Sequence, residues 1–166
     1  MVNNPHKSLH GNTDFISHYA KLGADYIGVH RRTFNSMDDM EMAIKKIISL
    51  KKKPGIFLEI DEEFDFEITS LIKRYNIKWI VFMGVPIGYG GQFFNKTIIP
   101  KIKKTKFFFT KKNLDCKFEI DGGLTLEVIE ELSNLGIDYY AGWSIVKGNS
   151  VKEVSQKIDV LKKILK

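Results

Sequence analysis

Three glycine-bearing segments each follow a predicted strand, and each could bring backbone N–H groups close to an anion. The segments are Gly88-Tyr89-Gly90-Gly91-Gln92, Asp121-Gly122-Gly123 and Gly142-Trp143-Ser144. Glycine lets the backbone approach a ligand closely, and successive N–H groups form a concave, partly positive site that suits phosphate. Each segment alone is equally well explained by an ordinary turn. Their occurrence after three consecutive strands predicts one phosphate-binding site built from all three.

Four acidic or imidazole side chains near strand ends could add proton-transfer chemistry. Asp121 closes a largely apolar strand, so its carboxylate could act as a general acid or base or as a metal ligand. Its alternative role is to accept hydrogen bonds from the N–H groups of its own turn. His30 also ends a strand, although a lone histidine is more often a packing residue. Glu59 and Asp61 could reach the same edge, or could lie where a helix dipole favours acids.

The elements that must position these residues alternate along the chain. Amphipathic stretches of period 3.6 predict helices at about 13–22, 36–50, 62–75, 95–109 with a bend near Pro100, 125–135 and 150–165. Short runs rich in β-branched and aromatic residues predict strands at 25–30, 55–60, 78–83, 117–121 and 138–142. Ser150 and Glu153 have the spacing of a capping box at the start of the last helix.

Five strands, each followed by a helix, predict one parallel sheet with right-handed crossovers. Two α/β architectures compete: a doubly wound open sheet and an incomplete (βα)8 TIM barrel, whose full form takes about 250 residues. We expect residues 1–166 to form a single domain, because no linker divides them. The glycine segments at the carboxyl ends of the last three strands favour the barrel, in which such loops bind phosphate.

Composition narrows the function classes. The chain is 43% hydrophobic, has no apolar run long enough to span a membrane and begins without a signal-like segment. The lone Cys116 cannot form a disulfide framework, so we expect a reducing cytoplasm. The net charge of +6, concentrated in the lysines of residues 101–112, leaves nucleic-acid binding as one interpretation. A solvated helix face is the better one, because the chain shows no nucleic-acid module.

Several motifs together resemble the ribulose-phosphate 3-epimerase family of (βα)8 barrels. They are VFMGVPIGYGGQFF, then FEIDGGLT, then GIDYYAGWSIV, with MVNNP and GADYIGVH upstream. The resemblance follows the whole chain in order. It implies a ribulose-phosphate-binding barrel with a divalent metal that interconverts ketopentose phosphates, ribulose 5-phosphate and xylulose 5-phosphate, by inversion at carbon 3.

The resemblance also assigns roles to particular residues. Asp121 matches an aspartate that is both a metal ligand and an acid/base, and Met83 matches a methionine that faces the site. The metal would be zinc, iron, manganese or cobalt. The implied phosphate and substrate contacts come from Gly88, Tyr89, Gly90, Gly91, Gln92, Gly122, Gly123, Gly142 and Trp143.

Other positions depart from the family pattern. The family's first three strands, which carry three of its four metal ligands and its other catalytic aspartate, precede the point that matches Met1-Val2. Pro86-Ile87 replaces an Asn-Pro pair, Trp143 replaces a serine, and Glu59-Ile60-Asp61 replaces another Asn-Pro. Arg32 stands where an acidic residue is expected.

These departures lead to two functional hypotheses. The first is an epimerase-like portion with little turnover and an incomplete set of metal ligands, and the second is a non-catalytic or regulatory barrel that only binds sugar phosphates. An incomplete barrel leaves two sheet edges and interior apolar residues uncovered. We therefore expect the chain to self-associate or form homo-oligomers.

Overall fold

A five-stranded parallel sheet organises the molecule. The computed structural model describes residues 14–165, and its strands are hydrogen-bonded in the order β1-β2-β3-β4-β5. Every neighbouring pair is parallel, and Met83 of β3 lies opposite Asp121 of β4. The strands are β1 (Tyr26–His30), β2 (Lys53–Leu58), β3 (Trp79–Met83), β4 (Lys117–Asp121) and β5 (Tyr139–Ala141).

Helices connect the strands and confirm the predicted βα repeat. A 3₁₀ helix, Arg31–Thr33, follows β1. None of the α-helices in residues 14–165 combines the length and apolar character that crossing a membrane requires. The α-helices are α1 (Asp14–Lys21), α2 (Met37–Ser49), α3 (Phe66–Tyr75), α4 (Ile98–Lys111), α5 (Leu126–Ser133), α6 (Trp143–Val146) and α7 (Val151–Ile164).

The two faces of the sheet are covered differently. Val29, Ile56 and Ile80 belong to the large core that also contains the buried residues of the helices. The opposite face carries a smaller cluster of Phe57 and Val81 with neighbouring strand and loop residues, and no helix within residues 14–165 contributes to it. Helices therefore cover one face of the described sheet, as in a barrel, rather than both faces, as in a doubly wound fold.

Side-chain caps explain where the helices begin. Helix α3 begins at Phe66 rather than near residue 62, because Asp65 accepts a hydrogen bond from the Ile68 N–H and caps it. Helix α4 begins at Ile98 and runs through Pro100. The predicted bend there is not needed, because a proline in the first turn removes no intrahelical hydrogen bond. The predicted start of the first helix, residue 13, lies outside the described residues.

The last part of the chain differs from the prediction in two ways. The short helix α6 forms where we expected a loop. Helix α7 has its predicted cap, since the Ser150 hydroxyl accepts a hydrogen bond from the Glu153 N–H at 3.2 Å. Its apolar stripe, however, contains no fully buried side chain, and Val151 is 88% exposed.

Candidate functional site

A cavity of about 670 Å³ opens at the carboxyl ends of β3, β4 and β5. The three glycine-bearing segments meet there because the carboxyl ends of parallel strands lie at one edge of the sheet. All the residues predicted for the phosphate site, together with Asp121 and Met83, line this cavity. They are Met83, Gly88, Tyr89, Gly90, Gly91, Gln92, Asp121, Gly122, Gly123, Gly142 and Trp143. Their roles in binding remain predictions.

The loop of residues 88–92 and the loop of residues 121–123 differ in how tightly they are packed. Gly91 has a φ of 82° and Gly123 a φ of 69°, backbone angles that side chains with a Cβ rarely adopt. A Cβ at Gly90 or Gly91 would meet no heavy atom within 4 Å. A Cβ at Gly123 would instead lie 2.6 Å from the backbone nitrogen of Phe94. The Gly90–Gly91 region thus leaves room beside it, whereas the second loop is packed against its neighbour.

The side chain of Gln92 holds the first loop closed. Its amide nitrogen donates hydrogen bonds to the carbonyl oxygens of Pro86 at 2.7 Å and Tyr89 at 2.9 Å. These bonds fix the loop without using its N–H groups. Two large aromatic side chains, Tyr89 and Trp143, stand at the cavity and are mostly exposed.

Backbone hydrogen bonds on both sides of β4 position Asp121. Its carbonyl oxygen accepts a hydrogen bond from the Gly84 N–H at 2.7 Å, and the next residue, Gly122, donates to the Ala141 carbonyl at 3.2 Å. Burial raises the pKa of the Asp121 carboxyl above its usual value, and the nearby His30 partly opposes that change. A carboxyl with a raised pKa is better suited to proton transfer near neutral pH.

Lys147 was missed by the sequence analysis, which named Ser144 within the third glycine-bearing segment. Ser144 and Lys147 both line the cavity and both come from the segment containing α6. Lys147 follows Trp143 by four residues, so one helical turn brings it to the same side. That spacing was the available signal, but α6 was not predicted. An ammonium group beside a glycine-rich loop strengthens the preference of the cavity for an anion.

His30 and Glu59 are brought together, but not at this cavity. His30 Nδ1 lies 2.7 Å from Glu59 Oε1, and both side chains are almost completely buried. The Lys101 ammonium, also buried, donates to the Glu59 carbonyl oxygen at 3.0 Å. Asp61 forms an exposed ion pair with Arg32. Arg32, which departs from the family pattern, is therefore neutralised by a nearby carboxylate.

The described residues do not by themselves fit a metal ion. Asp121 is the sole carboxylate among the described residues that line the cavity. Nowhere in residues 14–165 do three or more histidine, cysteine, aspartate or glutamate side chains form a group that could hold a metal.

The lysines of α4 make contacts within the chain. Lys104 pairs with Glu63 at 3.1 Å, and Lys106 donates to the carbonyl oxygen of Gly136. Lys111 and Lys112 lie over the rings of nearby phenylalanines. These contacts favour the interpretation of this stretch as an ordinary helix face over a nucleic-acid-binding one.

The fold and the cavity define a class: a parallel βα protein of barrel type with a glycine-rich, anion-favouring site at its carboxyl edge. The sequence match is more specific. Residues 3–151 match the model of the Ribulose-phosphate 3 epimerase family, so the chain belongs to that family. The family resemblance inferred from the motifs is confirmed.

Relatives and solved structures agree with this assignment. The chain is 32% identical over 124 residues to ribulose-phosphate 3-epimerase of Synechocystis sp., covering 72% of this chain and 52% of that protein. It is 28% identical over 144 residues to the Bacillus subtilis enzyme of that name, covering 82% and 60%. The chain therefore spans about half to three fifths of the length of these relatives.

Among solved structures, KGPDC from Streptococcus mutans in complex with D-R5P superposes with a TM-score of 0.66 at 15% identity, covering 98% of this chain and 72% of that one. The 3-hexulose-6-phosphate synthase of Salmonella typhimurium gives a TM-score of 0.61 at 13% identity, covering 96% and 70%. These likenesses place the fold among the TIM barrels, and the predicted fold class is confirmed.

Proposed function

We propose that this chain binds a ketopentose phosphate, with its phosphate in the glycine-rich cavity and its carbon chain beside Asp121. The main support is that three glycine-bearing loops, Lys147 and Asp121, whose carboxyl has a raised pKa, line the same cavity. Relatives named ribulose-phosphate 3-epimerase support ribulose 5-phosphate and xylulose 5-phosphate as the substrate pair.

Asp121 would transfer one proton in this reaction. Its carboxylate takes the hydrogen from carbon 3, which lies next to the carbonyl, and the bonding electrons delocalise into an enediolate. Inversion requires a second acid to return a proton to the opposite face. Among the described residues that line the cavity, no other carboxylate can do so. We therefore propose that epimerisation by these residues alone is slow, and that return of the proton by Asp121 restores the starting sugar.

Phosphate binding is tested by calorimetry with ribulose 5-phosphate. We expect saturable binding, competition by inorganic phosphate and an affinity about tenfold lower in Lys147→Ala, because a charge-assisted contact to phosphate is lost. Lys162→Ala is the matched control, since Lys162 is an exposed lysine of α7 that does not line the cavity. Equal losses in both variants would show a general charge effect and contradict the site.

Proton transfer is tested by exchange of the carbon-3 hydrogen with deuterium oxide, followed by NMR. We expect slow exchange with the unmodified chain and none with Asp121→Asn, which keeps the side-chain shape but cannot accept the proton. Both proteins should still bind the sugar phosphate in the calorimeter. Exchange that persists in Asp121→Asn would assign the proton transfer to another group.

A second candidate function is sugar-phosphate binding without catalysis. Two observations favour it. Asp121 is the sole carboxylate among the described residues that line the cavity, and no three histidine, cysteine, aspartate or glutamate side chains in residues 14–165 form a group that could hold a metal. Saturable binding without any carbon-3 exchange would support this alternative. Addition of zinc, iron, manganese or cobalt ions to the exchange assay tests the cofactor that the family implies.

A further inference from the structure

The glycine-rich cavity also has an apolar wall. Beside the glycine-bearing loops and the polar groups, it is lined by Met83, Val85, Pro86, Ile87, Tyr89 and Trp143. The side chains of Val85, Pro86 and Ile87 offer no hydrogen-bonding group to the hydroxyls of a sugar. Pockets that hold organic ligands combine such a wall with a few polar groups that fix the orientation of the ligand. This wall therefore suits a less polar group than the carbon chain of a ketopentose.

Tyr89 and Trp143, which we call the aromatic pair, present the largest apolar surfaces of this wall. Their side chains are 74% and 75% exposed, although both line the cavity. An exposed apolar surface that is bordered by polar groups is typical of a ligand-binding site. A planar ring is a favourable partner for such side chains, because aromatic rings attract each other beyond the effect of the area that they bury.

The backbone that carries the aromatic pair is held by hydrogen bonds. The Tyr89 carbonyl oxygen accepts a hydrogen bond from the side-chain amide of Gln92 at 2.9 Å. The Trp143 carbonyl oxygen accepts one from the Lys147 N–H, also at 2.9 Å. A binding group whose backbone is already fixed loses less conformational entropy when a ligand arrives. The aromatic pair therefore needs little further ordering in order to bind.

One member of the pair lies beside the cation of the cavity. Lys147 follows Trp143 by four residues, and the hydrogen bond between their backbones closes one helical turn. Side chains at this spacing have Cβ atoms about 5–6 Å apart. An anion held by Lys147 and the glycine-bearing loops therefore has the Trp143 ring within reach of its organic substituent.

We propose that the cavity binds phosphate monoesters whose organic part carries an aromatic ring, with the phosphate at Lys147 and the glycine-bearing loops and the ring against the aromatic pair. The inference rests on the phosphate-binding part of the proposed function and extends it to a second class of ligand. It involves no proton transfer by Asp121. An aryl phosphate and a nucleoside monophosphate both contain the required groups.

The test uses calorimetry with the full chain and two pairs of esters that differ in the ring. Phenyl phosphate is compared with cyclohexyl phosphate, which is similar in size but has no π-system. Adenosine 5′-monophosphate is compared with ribose 5-phosphate, which lacks the base. We expect the phenyl ester to bind about three- to tenfold more tightly than the cyclohexyl ester. The nucleotide should bind about tenfold more tightly than ribose 5-phosphate. A gain in one pair alone shows which of the two kinds of ester the cavity takes.

Variants separate the ring contact from the phosphate contact. Tyr89→Leu and Trp143→Leu, made together, keep apolar side chains but remove both rings, so the ratio of the two affinities within a pair should fall to about one. Lys147→Ala should weaken both members of a pair and leave their ratio unchanged. Phe107→Leu is the matched control, since Phe107 is 66% exposed on α4 and does not line the cavity. Circular dichroism checks that each variant is folded.

Proton NMR of the ligand adds a measurement that needs no variant. A phenyl ring that stacks on an aromatic side chain lies in its ring current, so the phenyl protons should shift upfield when phenyl phosphate binds the unmodified chain. The shift should be lost with the double leucine variant and kept with Phe107→Leu. Binding of phenyl phosphate without an upfield shift would contradict the ring contact.

Each outcome decides the inference. A ring preference that the double leucine variant loses, and that Phe107→Leu and Lys147→Ala keep, supports it. Equal affinities within both pairs overturn it, and they leave the proposed function standing if ribulose 5-phosphate still binds. A ring preference that persists in the double leucine variant also overturns it, because other groups then provide the contact. If no phosphate ester binds, the inference and the proposed function are both wrong.

Discussion

Asp121 and the two glycine-rich loops determine what the candidate site can do at the level of single residues. The pKa of the Asp121 carboxyl is raised by burial, and the loop of Gly88, Gly90 and Gly91 leaves open space beside its backbone. The loops are not equivalent, because only the one containing Gly122 and Gly123 is packed against a neighbouring backbone. A substitution in that loop should therefore disturb the fold, whereas one at Gly90 should act on the cavity alone.

Gly123→Ala and Gly90→Ala make this difference measurable. The alanine at position 123 must adopt a positive φ, at a cost of about 1–2 kcal/mol, and its Cβ also clashes with the Phe94 backbone. We expect a free energy of unfolding lower by at least about 2 kcal/mol for Gly123→Ala and an unchanged value for Gly90→Ala. Chemical denaturation measures both. Equal stability of the two variants would contradict the packing described for the second loop.

Sequence reasoning reached Asp121 and the glycine segments because strand order alone places them at one edge. It did not reach Lys147, whose position depends on α6, a helix of four residues that is too short to show a period. It offered two positions for Glu59, at the edge that forms the cavity or at the start of a helix, and the structure places Glu59 in neither. The buried pairing of Glu59 with His30 joins residues 29 positions apart, and no local pattern predicts that contact.

At the scale of elements, helices α2 and α3 are joined through one carboxylate. Glu41 accepts hydrogen bonds from the Tyr75 hydroxyl and from Arg74 Nη1, and it pairs with Lys45 at 3.1 Å. The hydrogen bond from Tyr75 is the main cause that lowers the pKa of Glu41 from 4.5 to about 2. The contacts thus stabilise the ionised carboxylate in the folded chain.

This lowered pKa predicts how stability depends on pH. A carboxyl with a lower pKa in the folded state stabilises the fold above its unfolded pKa of about 4.5, and this gain is lost as the pH falls towards about 2. We expect Glu41→Gln to melt at a lower temperature at pH 7 and the difference from the unmodified chain to shrink below about pH 4.5. Glu130→Gln, which removes an exposed carboxylate of α5, is the control. A difference that is constant from pH 7 to pH 3 would contradict the role of Glu41.

Element types were more predictable than element boundaries. Several acidic residues precede α3, and each could cap its start as Asp65 does. The sequence analysis therefore placed the start of α3 four residues too early. The stripe of α7 was correctly recognised as apolar, but its burial was not predictable. A helical period shows which side chains share a face, whereas burial depends on what the rest of the fold places against that face.

At the scale of the whole molecule, packing weakens from the centre of the sheet towards β5. β3 has a strand on each side, and Ile80, Val81 and Phe82 are completely buried. Within residues 14–165, β5 has three residues and one partner strand, and no residue of β5 or of α7, which packs on α5 and α6, is fully buried. Because local opening exposes little additional apolar surface there, β5 and α7 should open without the rest of the sheet.

Native-state hydrogen exchange tests this gradient. We expect the amides of β5 and α7 to exchange on the order of a hundredfold faster than those of β3 at a concentration where the chain is monomeric. Uniform protection from exchange in the monomer would contradict this gradient, because β5 and α7 would then open only when the whole sheet unfolds.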